Sequence, residues 1–336
     1  MSTVIVTGGA GFIGSHTVVE LAAAGYDPVI VDDLRNSDER AVRGIAHIMG
    51  RGPRIHRIDC NDAEAMDRVF RAHAPVHGAI HFAAYKSVNE SVAEPEKYFA
   101  NNVGSLKVLL ATMDAHHVGR LVFSSSCTVY GQPAHMPVTE EAPAHNASSP
   151  YGQSKVQCED LLRDRARTHA AAKTVMLRYF NPIGAHPSGH IGELPLGVPQ
   201  NLVPYITQTA AGMHERVVVH GTDYGTPDGS CVRDFIHVVD LARAHVRALE
   251  WMEEQRAPLC EVFNLGMGRG VSVLEALKTF RETSGVEVPW SVGPRRPGDI
   301  AAIWADTSKS REVLGWAARL TVSDALRDAW HWQQRL

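Results

Sequence analysis

A glycine-rich turn near the start of the sequence restricts the folds open to this chain more than any other feature. The apolar run Val4-Ile5-Val6 leads into a turn that carries Gly8, Gly11 and Gly14. In a strand–turn–helix unit, Gly8 permits the tight turn, Gly11 lets the backbone approach a pyrophosphate, and Gly14 lets helix and strand pack closely. The first amides of the helix point at the same place, with the positive end of the helix dipole behind them. The pattern predicts a dinucleotide-binding βαβ unit.

An acidic residue closes the second predicted strand. The run Pro28-Val29-Ile30-Val31 ends in Asp32, at about the spacing where a carboxylate binds the two hydroxyls of an adenosine ribose. A carboxylate at that position repels a 2′-phosphate. We therefore expect the cofactor to be NAD and not NADP.

Short β-branched runs alternate with helical stretches through the first half of the chain, which is typical of parallel βαβ units. The predicted strands are Thr3–Thr7, Pro28–Asp32, Arg54–Ile58, Gly78–Phe82, Arg120–Ser124 and Thr174–Leu177. The predicted helices between them include Glu96–His116 and Tyr151–Ala171. Right-handed crossovers make this an α/β fold, a doubly wound parallel sheet with ligands at the carboxyl ends of its strands.

The pattern changes after Phe180. Residues 181–197 are rich in Pro, Gly and His and are predicted to form a long loop. Shorter elements follow, namely helices Val238–Glu253, Val273–Ser284 and Val322–Trp332 and strands Val217–Val219 and Val262–Leu265. We predict an NAD-binding Rossmann domain over residues 1–180 and a smaller mixed α/β substrate lobe over residues 181–336, with contacts back to the first domain.

Composition excludes several classes of function. The formal net charge of −4 provides no basic surface for nucleic acid and no polybasic patch for a membrane. No apolar run approaches the roughly 18 residues that a membrane-spanning helix needs. The five cysteines are scattered and odd in number, which suits a reducing cytoplasm better than a disulfide framework. His186 and His190 lie in a loop without further ligands at suitable spacing, so no metal site is expected.

Two later segments carry groups suited to proton transfer. Ser124-Ser125-Ser126 closes the fifth strand and places hydroxyls at its carboxyl end, and Tyr151 and Lys155 follow at the start of a helix. A separation of four residues puts the phenol and the ammonium on one helical face. A free tyrosine titrates near 10, so it is a poor base at neutral pH. We expect Lys155 and an oxidised nicotinamide ring to lower the pKa of Tyr151, which would act as catalytic base and acid beside Ser126.

With these motifs in view, the chain resembles the extended short-chain dehydrogenase/reductase superfamily, and within it the UDP-glucose 4-epimerase family. The resemblance covers essentially the whole chain. The most specific segments are Ser124-Ser125-Ser126-Cys127-Thr128-Val129-Tyr130-Gly131, Ser149-Pro150-Tyr151-Gly152-Gln153-Ser154-Lys155, Leu177-Arg178-Tyr179-Phe180-Asn181-Pro182 and Arg233-Asp234-Phe235-Ile236-His237-Val238.

The resemblance implies a role for each site residue. Tyr151, Lys155 and Ser126 would be catalytic. The cofactor would contact Gly8, Gly11, Phe12, Ile13, Gly14, Asp32, Asp33, Leu34, Asn36, Ser37, Asp59, Cys60, Phe82, Ala83, Ala84, Lys86, Asn101, Ser124, Tyr151, Lys155 and Phe180. The substrate would contact Lys86, Ser126, Tyr151, Asn181, Asn201, Leu202, His220, Arg233, Arg296 and Asp299.

The activity implied by the resemblance is inversion of C4 of a UDP-linked hexose without net oxidation. C4 is oxidised to a 4-keto sugar, the sugar turns about its diphosphate linkage, and C4 is reduced on the opposite face. Arginine suits the diphosphate, since its guanidinium donates several fixed hydrogen bonds. The resemblance also implies a homodimer built on the helices Glu96–His116 and Tyr151–Ala171.

Three residues depart from the family pattern. Cys127 replaces a small residue such as alanine, and we expect it to behave as a buried apolar group and not as a nucleophile. His220 stands where the family often has an aromatic ring beside the uracil. Ile303 stands where the family has a Tyr or a small residue that walls the sugar pocket, so activity on N-acetylated sugars stays open.

Several alternatives remain. A UDP-GlcNAc, UDP-xylose or UDP-glucuronate epimerase would carry the same motifs. A nucleotide-sugar 4,6-dehydratase needs an acidic pair after the strand-end hydroxyl, where this chain has Cys127 and Thr128. A protein that binds NAD as a sensor without turnover usually lacks the tyrosine or the lysine, and both are present here.

Overall fold

The computed structural model describes residues 1–296 and 298–336. Its strands are β1 (Thr3–Thr7), β2 (Asp27–Val31), β3 (Arg54–His56), β4 (Val76–His81), β5 (Arg120–Ser126), β6 (Lys173–Tyr179), β7 (Asn181–Ile183), β8 (Val217–His220), β9 (Val232–Arg233), β10 (Phe235–His237), β11 (Leu259–Leu265), β12 (Val271–Ser272), β13 (Trp290–Gly293) and β14 (Ala302–Ile303). Its α-helices are α1 (Phe12–Ala23), α2 (Glu39–Met49), α3 (Ala63–Ala72), α4 (Val88–Ala93), α5 (Pro95–Tyr98), α6 (Gly104–Ala115), α7 (Pro150–Thr168), α8 (Leu202–Ala210), α9 (Val238–Glu254), α10 (Val273–Ser284), α11 (Ser308–Glu312) and α12 (Val322–Gln333). A π-helical turn, Phe99–Val103, joins α5 to α6.

The main sheet has seven parallel strands in the order β11-β6-β5-β4-β1-β2-β3. Helices pack on both of its faces, so its central strands are apolar throughout, as in β1, where Val4, Ile5 and Val6 are fully buried. The strand order reverses between β1 and β4. In open parallel sheets, ligands bind at the carboxyl ends of the strands at such a point. The predicted doubly wound α/β fold is confirmed.

The six strands predicted in the first half all form, with bounds that differ by up to two residues at each end. The prediction that strand Val262–Leu265 belongs to the smaller lobe is wrong, because β11 pairs with β6 and forms one edge of the main sheet. Helix α9 likewise packs on α1 through Leu241 and neighbouring apolar residues. The main sheet is therefore completed by segments beyond residue 180.

The predicted helix Glu96–His116 is also interrupted. Three pieces replace it, namely α5, the π-helical turn and α6. The π-helical turn contains Asn101 and Asn102. Such turns often occur at functional sites.

Smaller sheets accompany the second half of the chain. Strand β10 pairs with β7, β9 lies between β12 and β14, and β13 pairs with β8. A separate apolar cluster, which includes Ile206, Phe235 and Leu326, joins α8, α10 and α12 to these strands. In the described part of the chain, no helix has the length and apolar character needed to cross a membrane.

Candidate active site

The turn between β1 and α1 needs glycine at two positions. Gly8 has a φ of +70°, and a Cβ atom there would lie 2.6 Å from the amide nitrogen of Ala83. A Cβ atom on Gly14 would lie 2.2 Å from the carbonyl oxygen of Gly8. Gly11 is the N-cap residue of α1, and it has no side chain that could accept hydrogen bonds from the first amides of the helix. The result is a close, electropositive backbone cradle that fits the pyrophosphate of a dinucleotide.

Asp32 follows β2 directly and is buried beside this turn. Its carboxylate accepts hydrogen bonds from the Ala10 amide (2.9 Å), the Leu34 amide (3.0 Å) and the Ser37 hydroxyl (2.8 Å). Burial raises the pKa of Asp32, and these three donors act in the opposite direction. The carboxylate therefore holds together the two turns that would flank an adenosine ribose.

A cavity of about 100 Å³, here called the glycine-turn cavity, opens between these turns and the end of β4. Of the predicted cofactor residues, it is lined by Gly8, Gly11, Asp32, Asp33, Asn36, Ser37, Asp59, Cys60, Phe82, Ala83, Ala84 and Asn101. The other predicted cofactor residues do not line it: Phe12, Ile13, Gly14, Leu34, Lys86, Ser124, Tyr151, Lys155 and Phe180. Five further residues, not predicted as cofactor contacts, also line it: Val31, Arg35, Ile58, Tyr85 and Ser105. Arg35 and Tyr85 follow strand ends, so the strand pattern contained a signal for these two.

Local capping positions the predicted catalytic helix. Ser149 caps α7 by accepting from the Gly152 amide (3.1 Å), and Pro150 takes the first helical position, where its missing amide is harmless. Tyr151 is thereby held in the first turn, and Lys155 lies one turn further along a buried face. The Tyr151 ring packs edge-on against Tyr98, with 6.4 Å between centroids.

The two key side chains have pKa values set by burial. Burial raises the pKa of Tyr151 to about 12, and an interaction with the Ser126 hydroxyl acts to lower it. Burial lowers the pKa of Lys155 to about 8. Lys155 does not contribute the expected lowering of the Tyr151 pKa. The reason is geometric, since Lys155 Nζ lies 6.0 Å from the Tyr151 ring centroid and donates to the Ser124 carbonyl oxygen (2.7 Å).

Ser126 ends β5 and lies beside the same helix. It is buried, and its Oγ accepts from the amide and the hydroxyl of Thr128, at 3.2 and 3.0 Å. The neighbouring Ser125 hydroxyl donates to the Glu159 carboxylate (2.6 Å). The same carboxylate accepts from Nε of the buried Arg178 guanidinium (2.8 Å). This buried ion pair ties the ends of β5 and β6 to α7.

Asn102 was not predicted, although it organises this region. Its amide accepts from the Tyr85 backbone N–H (2.8 Å) and donates to the Tyr85 carbonyl (3.1 Å) and to Ser154 Oγ (3.1 Å). It thus joins the loop after β4 to the catalytic helix. Sequence alone carried no signal for it, because its direction depends on the π-helical turn.

A second cavity of about 320 Å³, here called the Asn181 cavity, lies among segments from the second half of the chain. Among the residues lining it are seven predicted substrate residues: Asn181, Asn201, Leu202, His220, Arg233, Arg296 and Asp299. The other three predicted substrate residues, Lys86, Ser126 and Tyr151, do not line it.

Polar groups in this cavity are available to a ligand. Asn181 Oδ1 is buried and has no hydrogen-bond partner among the described residues, which is costly unless a ligand or water donates to it. Arg233 donates to the Val232 and Ile300 carbonyls (2.9 and 2.7 Å) and lies 3.5 Å from Asp299. These contacts hold the guanidinium at the cavity wall.

Glu193 is a further residue that the sequence did not indicate. Its carboxylate accepts from Lys86 Nζ (3.1 Å) and from Asn201 Nδ2 (2.6 Å), both of them predicted ligand contacts. Its carbonyl accepts from the Trp332 indole (3.1 Å). Glu193 thus links the loop after β4 to the rim of the Asn181 cavity and to α12.

The residues that depart from the family pattern are placed as follows. Ile303 is buried and packs in one apolar cluster with Phe180, and Cys127 lies at the edge of that cluster. Burial raises the pKa of the Cys127 thiol to about 12, which suits an apolar role. His220 lines the Asn181 cavity, and its Nδ1 donates to the Pro294 carbonyl (3.1 Å).

Comparisons with known proteins find relatives over nearly the whole chain and a family model over most of it. Residues 4–266 match the family model described as the NAD dependent epimerase/dehydratase family. A relative from Dictyostelium discoideum, a UDP-glucose 4-epimerase, is 48% identical over 98% of this chain and 95% of the relative.

Two solved structures are similar throughout. The UDP-glucose-4-epimerase of Stenotrophomonas maltophila, with bound NAD and formylated UDP-arabinopyranose, has a TM-score of 0.96 and 48% identity, covering 100% of this chain and 98% of that one. The UDP-glucose 4-epimerase of Bifidobacterium longum, in complex with NAD+ and UDP, has a TM-score of 0.94 and 46% identity, covering 99% and 98%.

Proposed function

The chain belongs to the NAD dependent epimerase/dehydratase family, and we propose that it interconverts UDP-glucose and UDP-galactose by inverting C4 of the hexose. The observation that supports this proposal is the grouping of Tyr151 and Lys155 on α7 with Ser124 and Ser126 at the end of β5, in a chain whose turn at Gly8 fits a dinucleotide. Tyr151 packs on Tyr98, just before the turn that supplies Asn101 to the glycine-turn cavity. Ser126 is followed by Cys127, which packs with Phe180 in one apolar cluster. Phe180 directly precedes Asn181, which lines the Asn181 cavity. Relatives of this activity at 48% identity support the same conclusion.

NAD suits the glycine-turn cavity. The turn at Gly8 and Gly14 leaves no room for a Cβ atom, and Asp32 presents a buried carboxylate suited to a ribose diol. We assign the adenosine half to the residues lining this cavity, and the nicotinamide half to Ser124, Tyr151, Lys155 and Phe180. When bound, NAD supplies an acceptor that takes hydride from C4 and returns it, together with a positive charge that favours the Tyr151 phenolate.

Tyr151 moves the proton. Its phenolate oxygen accepts the proton of the 4-hydroxyl as C4 becomes a ketone, and the phenol returns a proton to that oxygen when C4 is reduced on the other face. Ser126 donates to the same sugar oxygen and orients it. Lys155 stabilises the phenolate electrostatically. Because burial raises the pKa of Tyr151 to about 12, the base requires these positive charges near neutral pH.

The Asn181 cavity holds the UDP portion. Arg233 and Arg296 meet the diphosphate, Asn181 Oδ1 accepts from a ligand donor, and His220 stacks beside the uracil. Binding energy placed on uridine and phosphates leaves the hexose free to turn between the two half-reactions. We therefore place cofactor binding in residues 1–180 and substrate binding in residues 181–336, while β11 returns to the main sheet.

The substrate assignment is tested with the purified protein and four sugars, UDP-galactose, UDP-GlcNAc, UDP-xylose and UDP-glucuronate, followed by separation of the C4 epimers. UDP-galactose should have the highest kcat/KM. A larger kcat/KM for any of the others would replace the assigned sugar while leaving the C4 chemistry intact. The variant Ile303→Ala widens the pocket wall and should raise activity on UDP-GlcNAc relative to UDP-galactose.

We further place the protein in the cytoplasm as a homodimer that packs α6 and α7 against a second copy. Support for the compartment is that the five cysteines are all free. Support for the interface is that Val88 and Val92, on the short helix α4 beside α7, are exposed by 43% and 66%. Light scattering should give twice the chain mass of 36.7 kDa, and Val92→Glu should shift the protein toward the monomer.

A further inference from the structure

A third cavity, here called the α2 cleft, lies apart from the proposed active site. It has a volume of about 490 Å³, and α2, the loop around His190 and the end of the chain after α12 form its walls. The described residues that line it are Arg40, Arg43, Gly44, His47, Gly189, His190, Trp332, Arg335 and Leu336. None of them lines the glycine-turn cavity or the Asn181 cavity. Five of these nine residues have basic side chains, and none has an acidic side chain.

Helical spacing gathers four of these residues on one face of α2. Arg40, Arg43, Gly44 and His47 are separated by three, one and three positions, which places them on the same side of a helix. Gly44 is a point of close approach, because a Cβ atom there would lie 2.0 Å from the His190 carbonyl oxygen. The basic face of α2 is therefore packed against the loop that forms the opposite wall.

The opposite wall is basic as well. The imidazole ring of His190 lies close to that of His47, with 3.7 Å between ring centroids. Arg335 Nη1 donates to the Ser188 carbonyl oxygen (3.1 Å) and lies 3.3 Å from His190 Nε2. These contacts hold basic groups from three separate segments of the chain around one cleft.

Little negative charge compensates these basic groups. Arg40 is paired with Asp38 (3.0 Å), whereas Arg43 and Arg335 form no ion pair with any side chain that the structure describes. Leu336, the last residue of this sequence, adds one main-chain carboxylate against five basic side chains. The cleft is thus lined mainly by charges of one sign, an arrangement that concentrates counter-ions of the opposite sign.

The charged groups that face His190 support this sign. Partial burial lowers the pKa of His190, and three basic neighbours, His47, Arg335 and His331, lower it further. The charge of His190 acts in the same direction on the pKa of His186, which lies on the same loop. Positive charge therefore surrounds the His190 ring from both walls.

We propose that the α2 cleft binds an anion with two or more phosphate groups, held between Arg43 on one wall and Arg335 on the other. Guanidinium groups suit phosphate because they donate paired hydrogen bonds in a fixed geometry. The cleft is larger than the Asn181 cavity, so an anion of several phosphate groups has room to meet both walls. The bound anion joins α2, from the first half of the chain, to segments from the second half. No step assigned to Tyr151 involves this cleft, so the proposal goes beyond the proposed function.

Titration calorimetry of the purified holoenzyme with pyrophosphate at low salt tests the site. Arg43→Gln and Arg335→Gln should each weaken the binding about tenfold, the scale of one charge-assisted hydrogen bond. Both arginines are exposed, so we expect the variants to fold. Arg51→Gln is the matched control, because it removes the same charge just after α2, where Arg51 faces Asp27 (3.7 Å) outside the cleft lining.

Two results of this titration would overturn the proposal. One is equal affinity for pyrophosphate in the wild type and in Arg43→Gln. The other is an equal loss of affinity in Arg43→Gln and Arg51→Gln, which would reflect the net charge of the protein and not a site.

The Asn181 cavity is a second place for pyrophosphate under the proposed function, so the titration is repeated in an Arg233→Gln background. The loss caused by Arg43→Gln should be the same with and without Arg233. If the loss disappears in that background, pyrophosphate was bound at the Asn181 cavity alone and the proposal is wrong. The kcat for UDP-galactose should be unchanged in Arg43→Gln, so failure of this site and failure of the proposed function are separate results.

The pH dependence of binding tests the contribution of His190. A bound anion favours the protonated imidazole, so the anion and the proton should each strengthen the binding of the other. Pyrophosphate itself also titrates near neutral pH, and the wild type is therefore compared with His190→Gln at each pH. The ratio of their association constants should increase as the pH falls from 8 to 6. A constant ratio would contradict an anion held between the two walls.

A comparison of anions identifies the source of the phosphate groups. Tighter binding of ATP than of tripolyphosphate would support the proposal with a nucleotide as the ligand. Equal binding of the two would support it with an inorganic polyphosphate as the ligand. Acetate binding as tight as that of either anion would overturn the proposal, because the cleft would then not select phosphate.

Discussion

One side of the glycine-turn cavity is a turn in which backbone packs closely on backbone, as at Gly8, whereas the Asn181 cavity is lined by polar residues such as Asn181 and Arg233. The first lies where consecutive parallel strands end, and its residues follow β1, β2 and β4 in short local runs. The second is assembled from segments that are far apart in sequence, such as Asn181, Asn201, Arg233 and Arg296. A rigid backbone cradle suits a cofactor that stays in place through a reaction cycle. A wall of side chains suits a substrate that enters, lets its sugar turn and leaves.

The largest effect is expected at Tyr151, the proposed acid and base that serves both the cofactor and the substrate. Tyr151→Phe removes the phenol proton carrier and should lower kcat by about 10²–10⁴-fold, the usual contribution of a positioned acid/base group. The NAD content of the purified variant should stay the same, because the phenol is one of many cofactor contacts. A near-normal kcat in a folded variant with bound NAD would remove Tyr151 from the mechanism.

The backbone character of the glycine-turn cavity is tested by Gly14→Ala. The added Cβ atom would lie 2.2 Å from the Gly8 carbonyl oxygen, so the turn must open. NAD content should fall at least about tenfold, since each 1.4 kcal/mol of lost binding energy is a factor of ten. Gly52→Ala is the matched control, because a Cβ atom there meets nothing within 4 Å. Equal NAD content in both variants would contradict the assigned role of the turn.

The side-chain character of the Asn181 cavity is tested by Arg233→Gln. Loss of the guanidinium should raise KM for the UDP-sugar about 10–100-fold, the scale of a charge-assisted hydrogen bond, with a smaller effect on kcat. Arg295→Gln is the control, because Arg295 pairs with Asp223 (2.8 Å) outside the cavity lining. If both variants raise KM equally, Arg233 has no specific part in UDP binding.

A smaller effect is expected at the start of α12, which packs against α8 and α10 in the second half of the chain. Thr321 and Asp324 form a capping box, and hydrogen bonds from Thr321 help lower the pKa of Asp324 to about 2. The folded-state pKa lies below the unfolded value of 3.8, so this stabilisation is present above about pH 4 and is lost as the pH falls toward 2. Asp324→Ala should cost about 1 kcal/mol of unfolding free energy at pH 7.

The pH dependence of that cost can be measured by urea unfolding. The difference between wild type and Asp324→Ala should shrink between pH 4 and pH 2. A constant difference over this range would mean that the side chain stabilises the helix without its charge.

The contrast between the two cavities also explains which features could be predicted from the sequence. The strands of the main sheet and the turn residues around Gly8 and Asp32 follow from local patterns of apolar residues, glycines and strand-end polar groups. Asn102 and Glu193 could not be predicted this way. Their roles depend on a π-helical turn and on a loop conformation, both set by tertiary structure. The prediction that Val262–Leu265 belongs to the smaller lobe failed for the same reason, since β11 pairs with β6, 86 residues earlier (Leu259 with Lys173).

The pKa of Tyr151 shows the limit of reasoning from spacing. The four-residue separation from Lys155 correctly puts both groups on one face of α7. Spacing does not reveal that Lys155 donates to the Ser124 carbonyl oxygen, or that burial raises the pKa of Tyr151 to about 12. The electrostatics of the base therefore depend on the hydrogen bonds beneath it as much as on its neighbour in sequence.

The central claim is that C4 loses and regains the same hydride inside one active site, while Tyr151 exchanges only the oxygen-bound proton. The most direct measurement is the conversion of UDP-galactose carrying deuterium at C4, in ordinary water, with the UDP-glucose product examined by NMR. We predict that deuterium stays at C4 of the product and that turnover is slower than with protium. Replacement of the label by hydrogen from water would contradict the account.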